Sequence, residues 1–308
     1  MRNIPTVTKN LLIINVIAYL AYEVLLRTGV DLNNLLGLHF ILAKDFQVYQ
    51  LFTYMFMHAN LTHIFFNMFA LWMFGCVVEN VWGPKKFLFY YILCGVGAGL
   101  MQELAQFGQY AVEGFAAYDS VKMAQETISM GEFLNRWTTV GASGAVYAIL
   151  LAFGMIFPEQ RIFIFPLPVP IKAKWFVMIY AGIELFSAIS TTSDGVAHLA
   201  HLGGMLFGYL LIRYWKKHPT SGFGDYGMSK GQQFFDRMRA NWEQRNRRQQ
   251  AADSSRTDQT RRETDWEYNA RKRADQDEID RILDKIRKSG YDSLSKAEKQ
   301  RLFDSSKK

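Results

Sequence analysis

Cysteine is scarce in this chain: two in 308 residues. Both Cys76 and Cys94 lie in or beside apolar runs, where a bridge would need two helices held at bonding distance. They read as packing residues, and no disulfide is expected. Charge is the second shortage, but only in part of the chain. Residues 1–215 carry 12 of the 35 Lys and Arg and 12 of the 28 Asp and Glu, so the whole net charge of +7 resides in the remainder. Half of the residues are hydrophobic, yet mean hydropathy is only −0.04, so the apolar residues are segregated rather than spread. The first 215 residues therefore read as an integral membrane block and the rest as a soluble appendage. A small-residue cleavage site is also missing after the first apolar run, which favours an uncleaved first span over a signal peptide. No nucleic-acid partner is expected.

What is present is a series of apolar runs near bilayer length. Spans are predicted at about 10–27, 50–79, 87–105, 143–157, 175–189 and 197–214, an all-α polytopic bundle of six transmembrane helices within residues 1–215. Trp72 and Trp82 suit interface anchors at the far end of the second run. Gly95, Gly97 and Gly99 in the third permit a close helix crossing. Residues 28–49 are too polar to cross lipid and read as a loop on the membrane surface. The 106–140 linker is long and acidic and is expected to carry a short helix. The prolines of the connector after Pro158 keep it extended. Arg2 and Lys9, Lys85 and Lys86, Arg161 with Lys172 and Lys174, and Arg213 with Lys216 and Lys217 all fall on one face, which assigns that face to the cytoplasm. Both termini are then cytoplasmic, in a multi-pass protein of a cell (inner) membrane. Residues 216–277 read as a charged flexible linker, and Ile279, Ile282, Leu283 and Ile286 open a helical hairpin over 278–308.

Polar side chains within lipid-spanning helices are costly and mark function by default. Ser143 stands at the mouth of the fourth run between Gly141 and Gly144, where small neighbours let other backbone approach. Tyr147 follows one turn on. His198 and His201 open the sixth run, and Gly204 and Gly208 after His201 form a GxxxG surface on which Gly144 and Ala148 could pack. That contact would bring the Ser143 hydroxyl to the His201 imidazole, the minimum for nucleophilic acyl transfer. His63 and Asn67, four apart on the second run, share a face and, with the Ser143 backbone N–H, are suited to stabilise an oxyanion. His58 sits nearer that helix's mouth. Each of these features has a packing explanation when taken singly. Together, in three spans, they point to a Ser/His dyad. A competing reading uses His58, His63, His198 and His201 to ligate a metal or haem, and another takes the chain as an inactive binder of membrane proteins.

Over roughly residues 8–215 the chain resembles the rhomboid intramembrane serine proteases. The resemblance rests on His58-x-x-x-x-His63-x-x-x-Asn67, on Glu79 near that span's end, on Gly141-x-Ser143-Gly144 with Tyr147, and on Ala-His201-x-x-Gly204-x-x-x-Gly208. It implies Ser143 as nucleophile, His201 as general base, His63 and Asn67 as oxyanion donors and Tyr147 as a ring supporting His201, with His198 a neighbour. It also implies transmembrane protein substrates of a single span, cut in or near the bilayer. No cofactor is expected. The sequence departs from the family's pattern in lacking a Trp-Arg pair in the loop after the first span and in the length of its 106–140 linker. Oligomeric state is not readable from the sequence.

Overall fold

The described part of the first 217 residues is mostly helical. The computed structural model describes residues 4–123, 126–163, 170–190, 197–218, 240, 244 and 265–305. In chain order the helices are α1 (Thr6–Leu26), α2 (Leu32–Leu36), α3 (Gln50–Thr53), α4 (Leu61–Trp82), α5 (Pro84–Val112), α6 (Met130–Asn135), α7 (Ser143–Ile156), α8 (Ala173–Ile189), α9 (His198–Lys217), α10 (Asp265–Ser289) and α11 (Lys296–Ser305). By length and composition α1, α4 and α5 can each cross a bilayer, while α7 is apolar but shorter. The chain divides into two units, residues 1–237 and 238–308.

The first unit exposes large apolar side chains and buries polar ones within an apolar core. Ile13, Ile17, Leu20 and Val24 of α1 and Phe65, Phe66 and Phe69 of α4 are exposed, whereas Thr8, Asn15, Asn67, Glu79, Glu184 and His201 are buried. That inversion is what a bilayer solvent selects: lipid-facing carbon costs nothing, and buried polar groups must find partners inside. Glu79 illustrates the second requirement. Its carboxylate accepts hydrogen bonds from the backbone N–H of Val7 (2.9 Å) and Thr8 (2.7 Å) and from the Thr8 hydroxyl (2.7 Å). It thereby satisfies orphan donors at the start of α1 and ties that helix to α4.

At the centre, α9 packs along α5 and α7, and small residues set the spacing. A methyl group added at Gly204 would lie 2.0 Å from the Gly144 carbonyl oxygen, and one at Gly208 would meet the Tyr90 hydroxyl and the Ala148 methyl. On the α5 side the Phe207 ring lies on Gly97, and Met101 on Gly203. Cys94 is buried in the same core and Cys76 half-buried, and both are free thiols.

Several boundaries differ from the sequence reading. One helix over 50–79 is not formed. After α3 and a single 3₁₀ turn the chain becomes extended at Met57, and Asn60 then caps α4, its Oδ1 accepting from the His63 N–H at 2.8 Å. The side-chain cap offers the backbone a better partner than helix continuation. Within α4 residues Leu71–Gly75 form a widened π turn. The third helix is longer than 87–105 at both ends. The 28–49 segment does not simply lie on a surface. Leu38, His39 and Phe40 are fully buried, and β1 (Leu38–His39) pairs antiparallel with β4 (Thr138–Thr139) just before α7. The 106–140 linker holds, besides α6 with its Ser129/Glu132 capping box, an exposed hairpin of β2 (Ser120–Met123) and β3 (Glu126–Ser129). In the connector after α7, β5 (Arg161–Phe163) pairs antiparallel with β6 (Pro170–Lys172), and the expected extended stretch between them, 164–169, lies outside the described residues.

In the second unit α10 starts at Asp265 rather than near 278, inside the stretch expected to be flexible. Most of 216–264 lies outside the described residues. Gly290, at φ +81°, ends α10. Ser295 and Glu298 cap α11 reciprocally, through Ser295 N–H to Glu298 Oε2 (2.7 Å) and Glu298 N–H to Ser295 Oγ (3.3 Å), and Ile282 and Leu294 are buried between the helices.

Gly204→Ala should lower the stability of the bundle by about 1–3 kcal/mol, because the added methyl meets backbone that cannot rotate away. Gly182→Ala on α8, with nothing within 4 Å, should cost nothing. Thermal unfolding of both variants in detergent micelles checks this, and equal melting temperatures would contradict the α7–α9 contact.

Candidate active site

The approach to Ser143 is built from two distant loops. Pairing of β1 with β4 holds the strand that leads into α7. The buried His39 ring reinforces it, contacting the Asn34 carbonyl through Nε2 (2.6 Å) and the Asn135 carbonyl through Nδ1 (2.9 Å). Gly141 then turns the chain at φ +134°, in the region that favours glycine. Its N–H donates to the Tyr54 carbonyl at 2.9 Å. A side chain there would also strike the His63 ring, at 2.8 Å from both Cε1 and Nε2. Ser143 is the first residue of α7, so its hydroxyl stands among the N–H groups of a helix start that have no intrahelical acceptor.

The partner comes from α9. The Ser143 hydroxyl donates to His201 Nε2 across 2.8 Å. His201 is buried, and the Tyr147 ring, one turn along α7 from Ser143, stacks on its imidazole with centroids 4.4 Å apart and planes 7° from parallel. On its far side, His201 Nδ1–H donates to Glu184 Oε2 of α8 at 2.9 Å. His198 Nδ1 reaches the same oxygen at 2.7 Å, and the Tyr147 hydroxyl donates to Glu184 Oε1. Sequence reasoning missed Glu184. The signal was available, since it is the one acidic residue of an otherwise apolar helix, AKWFVMIYAGIELFSAI, and an intramembrane carboxylate is costly unless it has partners.

The α4 side chains line the other wall. His63 lies against Gly141. Its Nδ1 faces the Ala59 N–H at 3.4 Å, so the ring proton belongs on Nε2, the nitrogen on the side of Gly141. Asn67 is buried and donates from Nδ2 to the His63 carbonyl at 2.9 Å, which leaves its second amide hydrogen for another acceptor. His58 is buried beside them, its ring 5.1 Å from that of His63 at a steep angle. Burial, with a smaller contribution from His63, pushes its imidazole down to about 3, so it is uncharged at neutral pH. Glu79 lies elsewhere, at the α1 N-terminus as described above. Gly144, Gly204 and Gly208 form the packing surface between α7 and α9.

The four imidazoles do not converge as a metal or haem set would require. His58 and His63 pair on one wall, and His198 and His201 turn their Nδ1 atoms to Glu184 on the other. Among the described residues the one group of three such donors is Glu184, His198 and His201, and these are joined to one another by the hydrogen bonds above.

A helical membrane protein with a serine–histidine pair inside its bundle is the class that fold and site define. The chain belongs to the rhomboid family: the Rhomboid domain matches residues 45–217. A second model, a family of unknown function (DUF6576), matches residues 262–308. Among curated proteins the chain is 29% identical over 160 residues to "Rhomboid protease AarA" of Providencia stuartii, a match covering 51% of this chain and 52% of that protein. It is 28% identical over 166 residues to the mitochondrial presenilin-associated rhomboid-like protein of Homo sapiens, covering 52% of this chain and 36% of that one. To the mitochondrial "Rhomboid protein 1" of Saccharomyces cerevisiae it is 24% identical over 163 residues, covering 53% and 40%. The chain thus spans about half or less of the length of these relatives.

Gly141→Ala should strain the backbone by about 1–3 kcal/mol and push the His63 ring away from Ser143. Reaction of Ser143 with a fluorophosphonate should slow by at least about tenfold per folded molecule, since misplaced catalytic groups lose rate steeply. An unchanged labelling rate would contradict the close approach of His63 to this turn.

Proposed function

We propose that the chain is an intramembrane serine endopeptidase that cleaves single-span membrane proteins in or near the bilayer. The observation that carries this reading is the 2.8 Å hydrogen bond from Ser143 Oγ to His201 Nε2 inside a helix bundle. Family membership and the likeness to a protein named as a protease support it.

His201 Nε2 takes the Ser143 proton as Oγ attacks the scissile carbonyl, and the resulting imidazolium protonates the departing amine. Water, deprotonated by the same nitrogen, then releases the acyl group. Negative charge develops on the carbonyl oxygen, and three donors are suited to meet it: His63 Nε2–H, the spare Asn67 amide hydrogen and the N–H groups at the start of α7. Tyr147 supports the imidazole face, and His198 is a neighbour rather than a second base. None of these steps calls for a cofactor.

The proposed topology has α1, α4, α5, α7, α8 and α9 as six spans, followed by a soluble tail. The basic clusters around Lys85 and Lys86, Lys172 and Lys174, and Lys216 and Lys217 then share one side. That puts both termini in the cytoplasm of a cell bearing this protein in its inner membrane. The 14 residues of α7 measure about 21 Å against a hydrocarbon core of about 30 Å. Ser143 then lies below the membrane surface, in a recess that hydrolytic water must enter.

Ser143→Ala and His201→Ala should each reduce cleavage of a tagged single-span reporter in proteoliposomes by at least about 10⁴-fold. Asn67→Ala should cost on the order of 10²–10³ in kcat, and His198→Ala should retain measurable cleavage. A wild-type protein that is folded yet neither cleaves a panel of such reporters nor forms a Ser143 phosphonyl adduct would identify the chain as an inactive binder instead.

A further inference from the structure

We propose that Glu184 completes a Ser143–His201–Glu184 relay, holding His201 as the Nδ1–H tautomer and offsetting the imidazolium charge that forms during catalysis. The proposal rests on the protease reading above and deepens it. It replaces the two-residue dyad expected from the sequence with three residues drawn from three helices, α7, α9 and α8.

The geometry is that of a buried acid aimed at the back of a base. Glu184 is 5% exposed and His201 7%, so water can neither solvate the carboxylate nor screen its field at the ring. His201 Nε2 and Nδ1 face opposite partners, Ser143 Oγ at 2.8 Å and Glu184 Oε2 at 2.9 Å. With Oε2 able only to accept, the ring proton is held on Nδ1 and the lone pair on Nε2, the arrangement a base facing a hydroxyl requires. Glu184 is itself fixed by the Tyr147 hydroxyl on Oε1 and by His198 Nδ1 on Oε2. Tyr147 therefore contributes twice, stacking on the His201 ring and orienting the acid behind it. Carboxylate, stacked phenol and imidazole form one closed set in which His201 can neither flip nor rotate without losing a hydrogen bond.

Glu184 exchanges no atom with substrate. As Ser143 Oγ bonds to the carbonyl carbon, the carbonyl π pair moves to oxygen and the hydroxyl proton moves to Nε2. As the C–N bond breaks, that proton passes to the amine nitrogen. In deacylation a water proton takes the same route and returns to Ser143 Oγ. Glu184 stays ionised throughout and is a positioning residue.

The groups facing His201 are Glu184 from α8, Tyr147 and Ser143 from α7 and His198 from its own helix, with the His63 ring of α4 across Gly141. Glu184 carries the only negative charge in that set. The test measures kcat, KM and their pH dependence for reporter cleavage by the full chain in proteoliposomes, alongside fluorophosphonate labelling and thermal unfolding. Glu184→Gln keeps the side-chain shape but loses the charge, and its amide can donate toward Nδ1. It should lower kcat by on the order of 10²–10⁴ at little change in KM. It should also move the acidic limb of the pH profile to lower pH, since an imidazolium without its counter-ion releases its proton more readily. Glu184→Asp, with the carboxylate drawn back but the charge kept, should recover part of kcat and leave the limb nearer its original position. A merely structural carboxylate would not produce this pairing of a displaced limb with rescue by Asp.

Wild-type kcat and an unmoved limb in folded Glu184→Gln, with Ser143→Ala inactive, would overturn the relay and leave the protease reading standing. Absence of cleavage and labelling in the wild type would overturn both. If Glu184→Gln does not fold, Glu184→Asp decides: kcat lowered about tenfold supports the relay, because a retracted acid loses its hold on the ring, and full wild-type kcat overturns it.

Discussion

Where Gly204 of α9 meets the backbone of Gly144 in α7, two helices approach more closely than any side chain would permit. In a bilayer the hydrophobic effect does not favour protein over lipid as a neighbour, so association depends on close packing and on hydrogen bonds. The glycine contact provides the first, and the second forms at its edge. One residue before Gly144 is Ser143, and three before Gly204 is His201, and with the backbones pressed together their side chains lie within hydrogen-bonding distance. The same packing stacks Tyr147 of α7 on the His201 ring. Chemistry and cohesion come from a single interface.

The remaining structure keeps that interface in register. Strand pairing between residues 38–39 and 138–139, the His39 ring bridging two backbone carbonyls, and the Gly141 turn bonded to Tyr54 fix where α7 begins. The Asn60 cap starts α4 so that the His63 ring lies against Gly141, two residues before Ser143. Glu79 binds the first turn of α1. The buried His39, Asn67 and Glu79 are bonded to backbone or to another side chain, as a solvent without hydrogen bonds favours. Their roles differ, but all of them convert a weakly associating set of apolar helices into one with a defined polar interior.

What could be read from the sequence follows from the range of the forces involved. Bilayer thickness imposes a length on apolar runs, so the apolar helices were legible as runs, while the bounds of the second and third, Leu61–Trp82 and Pro84–Val112, differ from the expected 50–79 and 87–105. Spacing on one helix was equally legible: His63 with Asn67, Ser143 with Tyr147, His201 with Gly204 and Gly208. The second run is not one helix because the chain turns extended at Met57 and restarts at the Asn60 cap, a local event that hydrophobicity does not register. The 120–129 hairpin is exposed and carries no strong apolar alternation. His39 fixes the start of α7 through Asn135 and Thr138, partners about a hundred residues away. Glu184 is different, since a lone carboxylate in an apolar helix is a visible anomaly. Its meaning came only when α8 was seen beside α7 and α9, with both histidines and Tyr147 on its two oxygens.

The most direct test of this account is an experimental structure, in a lipid nanodisc, of the protein with Ser143 phosphonylated. The account predicts a covalent bond to Ser143 Oγ, a phosphoryl oxygen within hydrogen-bonding reach of His63 Nε2 and Asn67 Nδ2, and His201 still between the adduct and Glu184, with Gly204 against Gly144. A structure in which α7 and α9 are separated, or His201 faces away from the modified serine, would contradict it.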